Sequence, residues 1–282
     1  MKVAVTGATG FVGRHAVRAL WENGLHVVAV CRSRENLFQP DSKLEIVTLD
    51  IGNIDNPHDQ MGNPDVLLHL AWEGLPRYHS EHHLTQELPK QIAFLEACVR
   101  GGLKRLVVTG TCLEYGMQSG CLDENLIGVP TTAYGKAKDL LRSHLQSSPH
   151  MPDLKLTWLR LFYLYGPGQA STSLYSQLHR AIANGDKSFP MSPGDQQRDF
   201  LPIETATTQL ASLILKTPAA GVVNLCSGAP MTVAEFANSL LRNWNTEMEL
   251  DFGRLNYPDY EPHAFWGSTK KLQALLQGFE RA

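Results

Sequence analysis

The sequence predicts an α/β fold: a doubly wound parallel sheet with a smaller C-terminal region interleaved into it. Short β-branched runs alternate with amphipathic helical stretches through the first 160 or so residues: Val3-Ala4-Val5, 27–30, Ile46-Val47, Val66-Leu67-Leu68, Leu106-Val107-Val108 and 156–161. Strands this apolar must be covered on both faces, and parallel neighbours need helical crossovers. The rhythm changes after Arg160, where Gly166-Pro167-Gly168 and the Pro- and Gly-containing stretch 190–194 bracket a helix expected over 173–184.

Each element has its own warrant. In the first crossover Val12, Ala16, Ala19 and Leu20 share a helical face, and Gly24 stands where a C-terminal cap belongs. A second helix is expected over 88–100, stopping at Gly101-Gly102. Residues 154–165 are the longest apolar candidate, and Lys155 and Arg160 make them a buried strand rather than a membrane span. A strand over 222–225 should return the chain to the sheet, before helices over 232–243 and 268–276. The expected division is therefore 1–165 with 199–226 for the sheet domain, and 166–198 with 227–282 for the second.

Composition narrows the function classes. The 282 residues carry 25 Lys+Arg against 28 Asp+Glu, a net charge of −3, so the positive excess needed for phosphate-backbone binding is missing and nucleic acid is not an expected partner. Cys31, Cys98, Cys112, Cys121 and Cys226 are odd in number and include no C-x-x-C pair, which fits a reducing compartment better than a disulfide framework or zinc site. The apolar run before Thr6-Gly7 is too short for a signal peptide, and no stretch reaches the roughly 18 apolar residues of a membrane span. A cytoplasmic, non-membrane protein is expected.

Gly7-Ala8-Thr9-Gly10-Phe11-Val12-Gly13 stands between the first strand and the first helix as G-x-x-G-x-x-G. In that context the glycines permit a tight turn, close approach of a pyrophosphate to the helix N-terminus, and close helix-strand packing: a dinucleotide site. Where an NAD site usually places Asp or Glu at the end of its second strand, this chain has Cys31, followed by Arg32, Ser33 and Arg34. Two guanidiniums and a hydroxyl suit a 2′-phosphate, so NADP(H) is favoured over NAD(H). The alternative is that the arginines are only solvated loop residues.

Tyr134 and Lys138 lie one helical turn apart, after a strand ending in Val108-Thr109-Gly110-Thr111. A phenol, with an ordinary pKa of about 10, needs a neighbouring cation to shuttle a proton near pH 7, and Lys138 can supply it.

These residues resemble the extended short-chain dehydrogenase/reductase family, in its nucleotide-sugar epimerase/dehydratase branch. The resemblance spans nearly the whole chain. It includes Leu49-Asp50-Ile51, similar to the adenine-holding segment; His69-Leu70-Ala71, similar to the H-x-A turn beside the cofactor; Thr111-Cys112-Leu113-Glu114-Tyr115-Gly116; the strand through Arg160 and Tyr163 to Gly168; Arg198-Asp199-Phe200; and Asn224-Leu225-Cys226-Ser227-Gly228. It implies that Thr111 orients a substrate oxygen and that Tyr134 is the general acid/base. It also implies that Lys138 binds the nicotinamide ribose while lowering the Tyr pKa, and that Arg198 and Arg254 contact a nucleotide-diphosphate sugar. For Arg254 only its approximate position before the last helix speaks.

Departures from the family pattern narrow the chemistry. Cys112 and Leu113 replace the acidic pair of the 4,6-dehydratases, which argues against dehydration. A Cys112 acid/base would need a His partner, and Leu174-Tyr175 stand at its place. Tyr163 and Glu87 each replace an Asn of many relatives, so the substrate pose is expected to differ. His79, His82 and His83 with Glu81 read as a mobile loop flanking the sugar pocket rather than a metal site, because the family's hydride chemistry uses no metal.

The leading expectation is an NADPH-dependent reductase of a nucleotide-activated 4-keto-6-deoxy sugar. The alternatives are a nucleotide-sugar 4-epimerase with bound NAD and a catalytically silent NADP(H)-binding sensor or scaffold. The resemblance also implies a homodimer through the helix over 88–100 and the helix of Tyr134. The apolar spread of Ile92, Phe94, Leu95, Ala97, Cys98 and Val99 fits that, or a helix buried on all sides within one subunit.

Overall fold

The computed structural model describes residues 1–33, 41–52, 55–149 and 151–277. The first part runs β1 (Lys2–Thr6), α1 (Phe11–Glu22), β2 (His26–Cys31), β3 (Leu44–Thr48), α2 (Pro57–Gln60), β4 (Val66–His69), α3 (Leu88–Arg100), β5 (Arg105–Thr111), β6 (Gly120–Leu122) and α4 (Ala133–Ser147). It continues with β7 (Lys155–Leu161), β8 (Tyr163–Tyr165), α5 (Leu174–Asn184), β9 (Ser188–Pro190), β10 (Gln197–Arg198), β11 (Phe200–Pro202), α6 (Ile203–Lys216) and β12 (Gly221–Leu225). Last come β13 (Met231–Thr232), α7 (Val233–Asn243), β14 (Glu249–Asp251), β15 (Phe265–Gly267) and α8 (Lys270–Gln277).

Seven parallel strands form the central sheet in the order β12-β7-β5-β4-β1-β2-β3. Alternation along β1 explains its double cover. Val3 and Val5 pack with Ala16 and Leu20 of α1 and Leu210 of α6, whereas Ala4 joins Phe94 and Leu95 of α3 and Leu141 of α4 on the other face. The chain winds outward from β1 in both directions, so the crevice at the carboxyl ends of β1 and β4 is where such a sheet receives ligands. At the end of α1, Gly24 takes a φ of +78°.

A separate apolar cluster joins Leu178 and Ala181 of α5, Phe189 and Met191, and Phe236, Leu240 and Leu241 of α7. Small strand pairs tie this part together: β9 with β14, β10 with β13, and β8 with β11. Helix α8 packs back on α6 and β12, with Leu272 in the cluster under α1. Among the described residues no helix is long and apolar enough to cross a membrane.

Two expectations need correction. Residues 154–165 do not form one strand: β7 ends at Leu161, and β8 leaves the sheet to pair with β11, Tyr163 opposite Phe200. The run stays apolar through Phe162 because both strands are buried, so hydropathy does not mark the break. The histidine segment is not a loop throughout, because His83–Glu87 forms a wide helical turn that leads into α3. There His83 is buried, paired with Trp72 Nε1 (3.1 Å) and the Arg77 carbonyl (3.0 Å). Helix α6 was not anticipated, although its buried Ile203, Ala206, Leu210 and Leu213 follow a helical period.

Candidate active site

The turn after β1 is built from backbone. Gly7 has a φ of +66°, and a Cβ there would stand 2.9 Å from the Ala71 nitrogen; one on Gly13 would stand 2.0 Å from the Gly7 carbonyl oxygen. Only glycine lets α1 seat this closely on the turn. Gly10 donates to the Gly7 carbonyl (3.0 Å) and leads into α1, whose first turn, from Phe11 through Gly13, holds no acidic residue to offset its positive end. A cavity of about 200 Å³ lies beside it, walled by Gly7, Thr9, Gly10, Ile51, Leu70 and Ala71. Free helix-terminal amides, no Cβ in the way and an adjoining cavity fit the pyrophosphate of a dinucleotide. Asp50 is exposed and closes its own turn by accepting from the Gly52 amide (2.7 Å).

The turn after β4 is fixed from behind. His69 is buried and neutral, its pKa pushed down to about 3 by desolvation. Its Nε2 donates to Gln91 Oε1 (2.5 Å), which leaves Nδ1 to accept from the Thr6 hydroxyl (2.8 Å). Gln91 Nε2 reaches the Ala71 carbonyl (3.1 Å) and Glu87 Oε1 (2.6 Å). This chain of contacts holds Leu70 and Ala71 against the glycine turn.

Thr111, at the end of β5, caps a short 3-10 turn over Cys112–Tyr115: its Oγ1 accepts from Leu113 N (3.2 Å) and its own amide donates to Glu114 Oε1 (2.8 Å). Glu114 is buried and binds Arg160 Nε (2.8 Å) and Trp158 Nε1 (3.0 Å). Gly110 makes room for that cluster, since a Cβ there would meet Trp158 Nε1 at 2.1 Å. Helix α4 packs on the 3-10 turn and opens with Thr132 accepting from Gly135 N (3.0 Å). That brings Tyr134 and Lys138, both buried, to the carboxyl edge of the sheet. Lys138 Nζ donates to the Thr109 carbonyl (2.8 Å) and lies 4.0 Å from the centre of the Trp72 ring and 5.9 Å from that of Tyr134. The Tyr134 ring packs against His83, Tyr78 and Trp72.

Burial decides the protonation of this pair. It holds the Tyr134 phenol well above its ordinary value and pushes Lys138 down to about 7, against the upward pull of Glu114 and Glu87. Burial also pushes the Cys112 thiol up, so no thiolate forms there at neutral pH.

A stability prediction follows for Lys138. Between pH 7 and about 10.5 the unfolded chain binds a proton that folded Lys138 does not, so this group's contribution to stability rises with pH across that window. Lys138→Met should therefore stabilise the nucleotide-free protein most below pH 7, and the advantage should shrink by up to about 1.4 kcal/mol per unit above it. Urea midpoints of both proteins at pH 6, 8 and 9.5 check this; a constant gap would contradict it.

A larger cavity, about 480 Å³, opens between the sheet edge and the second apolar cluster, with Tyr78, Tyr163, Tyr175, Arg198, Phe200 and Glu261 on its walls. Arg198 is buried and reaches Glu261 Oε2 from Nη2 (3.0 Å) and the His263 carbonyl from Nη1 (3.0 Å). Its neighbour Asp199 accepts from the amides of Ser227 (2.6 Å), Gly228 (2.9 Å) and Gly267 (3.2 Å), clamping three segments behind the cavity. Arg254 is not brought there: it is exposed and paired with Asp251 (2.8 Å).

Residues 3–226 match the NAD dependent epimerase/dehydratase family. The chain belongs to this family. A dTDP-6-deoxy-L-talose 4-dehydrogenase (NAD(+)) from Aggregatibacter actinomycetemcomitans is 28% identical over 95% of this chain and 100% of its own length. The structure of MoeE5 in complex with UDP-glucuronic acid and NAD superposes with a TM-score of 0.79, at 27% identity over 98% of this chain and 92% of that one. A variant of UDP-glucuronic acid 4-epimerase from Bacillus cereus, in complex with a fluorinated UDP-sugar and NAD, gives a TM-score of 0.84 at 25% identity over 98% and 93%.

The preference for NADP(H) is corrected by these findings. The family is NAD dependent, the talose dehydrogenase relative is an NAD(+) enzyme, and both superposed structures hold NAD. The residues beside the glycine turn also depart from that expectation. Arg32, the residue expected to pair with a 2′-phosphate, is ion-paired with Glu73. Ser33 is exposed, and Arg34 lies outside the described residues. Sequence reading missed Glu73 because 41 residues separate it from Arg32. It also missed Glu261 and Tyr78, which stand on irregular segments, and no spacing marks them.

Proposed function

We propose that this chain is an NAD-dependent enzyme acting at C4 of a nucleotide-diphosphate sugar, and that it inverts that carbon as a 4-epimerase. The observation that carries the reading is the position of Tyr134. Its ring touches Trp72, a wall of the cavity at the glycine turn, and Tyr78, a wall of the Arg198 cavity. A phenol there faces a cofactor on one side and a sugar on the other.

In this reading Gly7, Thr9, Gly10, Phe11, Val12 and Gly13 hold the pyrophosphate, Asp50, Ile51, Leu70 and Ala71 border the nucleoside, and Lys138 holds the nicotinamide ribose. Bound NAD supplies the hydride acceptor. Thr111 orients the C4 oxygen and Tyr134 takes its proton as C4 loses hydride, leaving a 4-keto sugar. Return of hydride to the opposite face, with the proton given back by Tyr134, yields the epimer. Burial disfavours the phenolate in the empty site, so for Tyr134 to act as base Lys138 must take up a proton there and supply the favouring charge. Arg198, freed from Glu261, meets the diphosphate, with Tyr163 beside it at 5.7 Å. Residues 1–165 with 199–226 form the cofactor unit, and 166–198 with 227–282 the sugar-nucleotide unit, the last helix returning to the sheet. A homodimer through α3 and α4 belongs to the same proposal, with Ile92 and Val99 half-buried and Leu140 exposed on those helices.

A second reading, a one-way 4-dehydrogenase, is favoured by the relative of that activity matched over its whole length. Incubating the protein with UDP- and dTDP-hexoses separates the two. Epimerisation gives C4 epimers by NMR with no lasting rise at 340 nm, whereas a dehydrogenase accumulates NADH with the 4-keto product. Failure of every nucleotide sugar to react would contradict both.

A further inference from the structure

The end of β2 lacks the acidic residue that usually accepts from the adenosine ribose of NAD: Cys31 stands there, and Arg32 follows. A free guanidinium at this place would attract a 2′-phosphate, against the NAD reading. It is not free. Arg32 Nη1 is in direct contact with Glu73 Oε1. Glu73 comes from the segment after β4, and β1 lies between β2 and β4, so the pair reaches across the carboxyl end of β1. Both residues wall the cavity beside the glycine turn.

Glu73 is held in place from the interior. Its amide donates to Glu87 Oε1 (3.1 Å), and Lys90 Nζ lies 3.1 Å from Glu73 Oε2 and 2.9 Å from Glu87 Oε2. Glu87 is buried and anchored further by Gln91. Arg32 and Glu73 at the cavity wall and Lys90 and Glu87 behind it thus form a group of two cations and two carboxylates whose charges cancel.

We propose that Glu73 sets the cofactor preference of this chain: its carboxylate occupies Arg32 and withholds it from a 2′-phosphate, so NAD is accepted and NADP rejected. The proposal rests on the NAD reading and adds the residue that enforces it. A carboxylate from the end of β4 does here what an acid at the end of β2 does elsewhere. A 2′-phosphate meets a neutral group of charges and must break the Arg32 pair to gain a contact. With Glu73 neutral, the same wall carries one net positive charge. The Arg32 and Glu73 side chains are 70% and 40% exposed, so solvent screening keeps the expected change near about tenfold.

The test titrates NAD⁺ and NADP⁺ into the nucleotide-stripped full chain and follows Kd by calorimetry at fixed ionic strength. Wild type should bind NAD⁺ more tightly. Glu73→Gln, nearly isosteric, should move the Kd ratio about tenfold toward NADP⁺, mostly by tighter NADP⁺ binding, and adding Arg32→Ala should cancel the gain. Arg32→Ala alone, which leaves Glu73 in place, should widen the preference for NAD⁺ and serves if Glu73→Gln does not fold. A ratio unchanged within about twofold in Glu73→Gln, or equal weakening of both cofactors, overturns the proposal while leaving the NAD reading intact. Tighter NADP⁺ binding by wild type overturns both.

Discussion

Tyr134→Phe should cost about 10²–10⁴-fold in turnover while NAD affinity stays within a few-fold of wild type. The ring still packs against Trp72, Tyr78 and His83, and Lys138 keeps its bond to the Thr109 carbonyl. Only the transferable proton is lost. Near-wild-type turnover of Tyr134→Phe on a substrate the wild type accepts would remove Tyr134 from the chemistry. Loss of NAD binding together with turnover would mean that the ring, and not the proton, is what matters.

Glu114→Ala should destabilise the protein by about 3–5 kcal/mol, since it leaves the buried Arg160 guanidinium without its counter-charge. The same change strips Trp158 Nε1 and the Thr111 amide of their acceptor, so the turn carrying Thr111 loosens with it. Urea unfolding measures the loss. Pairing the change with Arg160→Met should recover part of the stability, because the isolated charge is then gone. A cost under about 1 kcal/mol for Glu114→Ala alone would show that water reaches Arg160 and that the cluster is not a dry support for the site.

Local signals of this fold were legible where a single physical constraint dominates. Val3 to Val5 and Val66 to Leu68 read as strands because burial on both faces leaves them uniformly apolar. The glycine turn reads because Gly13 admits no Cβ. The helix from Leu88 to Arg100 carries its own stop at Gly101. What failed depends on long-range assembly. Phe162 looks like the middle of a strand, and only the pairing of β8 with β11 moves the chain out of the sheet there. Arg32 reads as a phosphate ligand until the strand order places Glu73 across β1 from it. Arg198 stands out in the sequence by its motif, whereas its partner Glu261 is supplied by an irregular segment with no period to read. The helix from Ile203 to Lys216 is different: its signal was present in the sequence and was passed over.

In the proposed reaction C4 gives up hydride to bound NAD and receives the same hydrogen back while Tyr134 moves the proton. Epimerisation of an accepted nucleotide sugar in D₂O, followed by NMR of the product, tests it most directly. The expected product has inverted C4 carrying protium from the substrate, with deuterium only at exchangeable oxygens; deuterium bonded to C4 of the product would rule out direct return of the hydride.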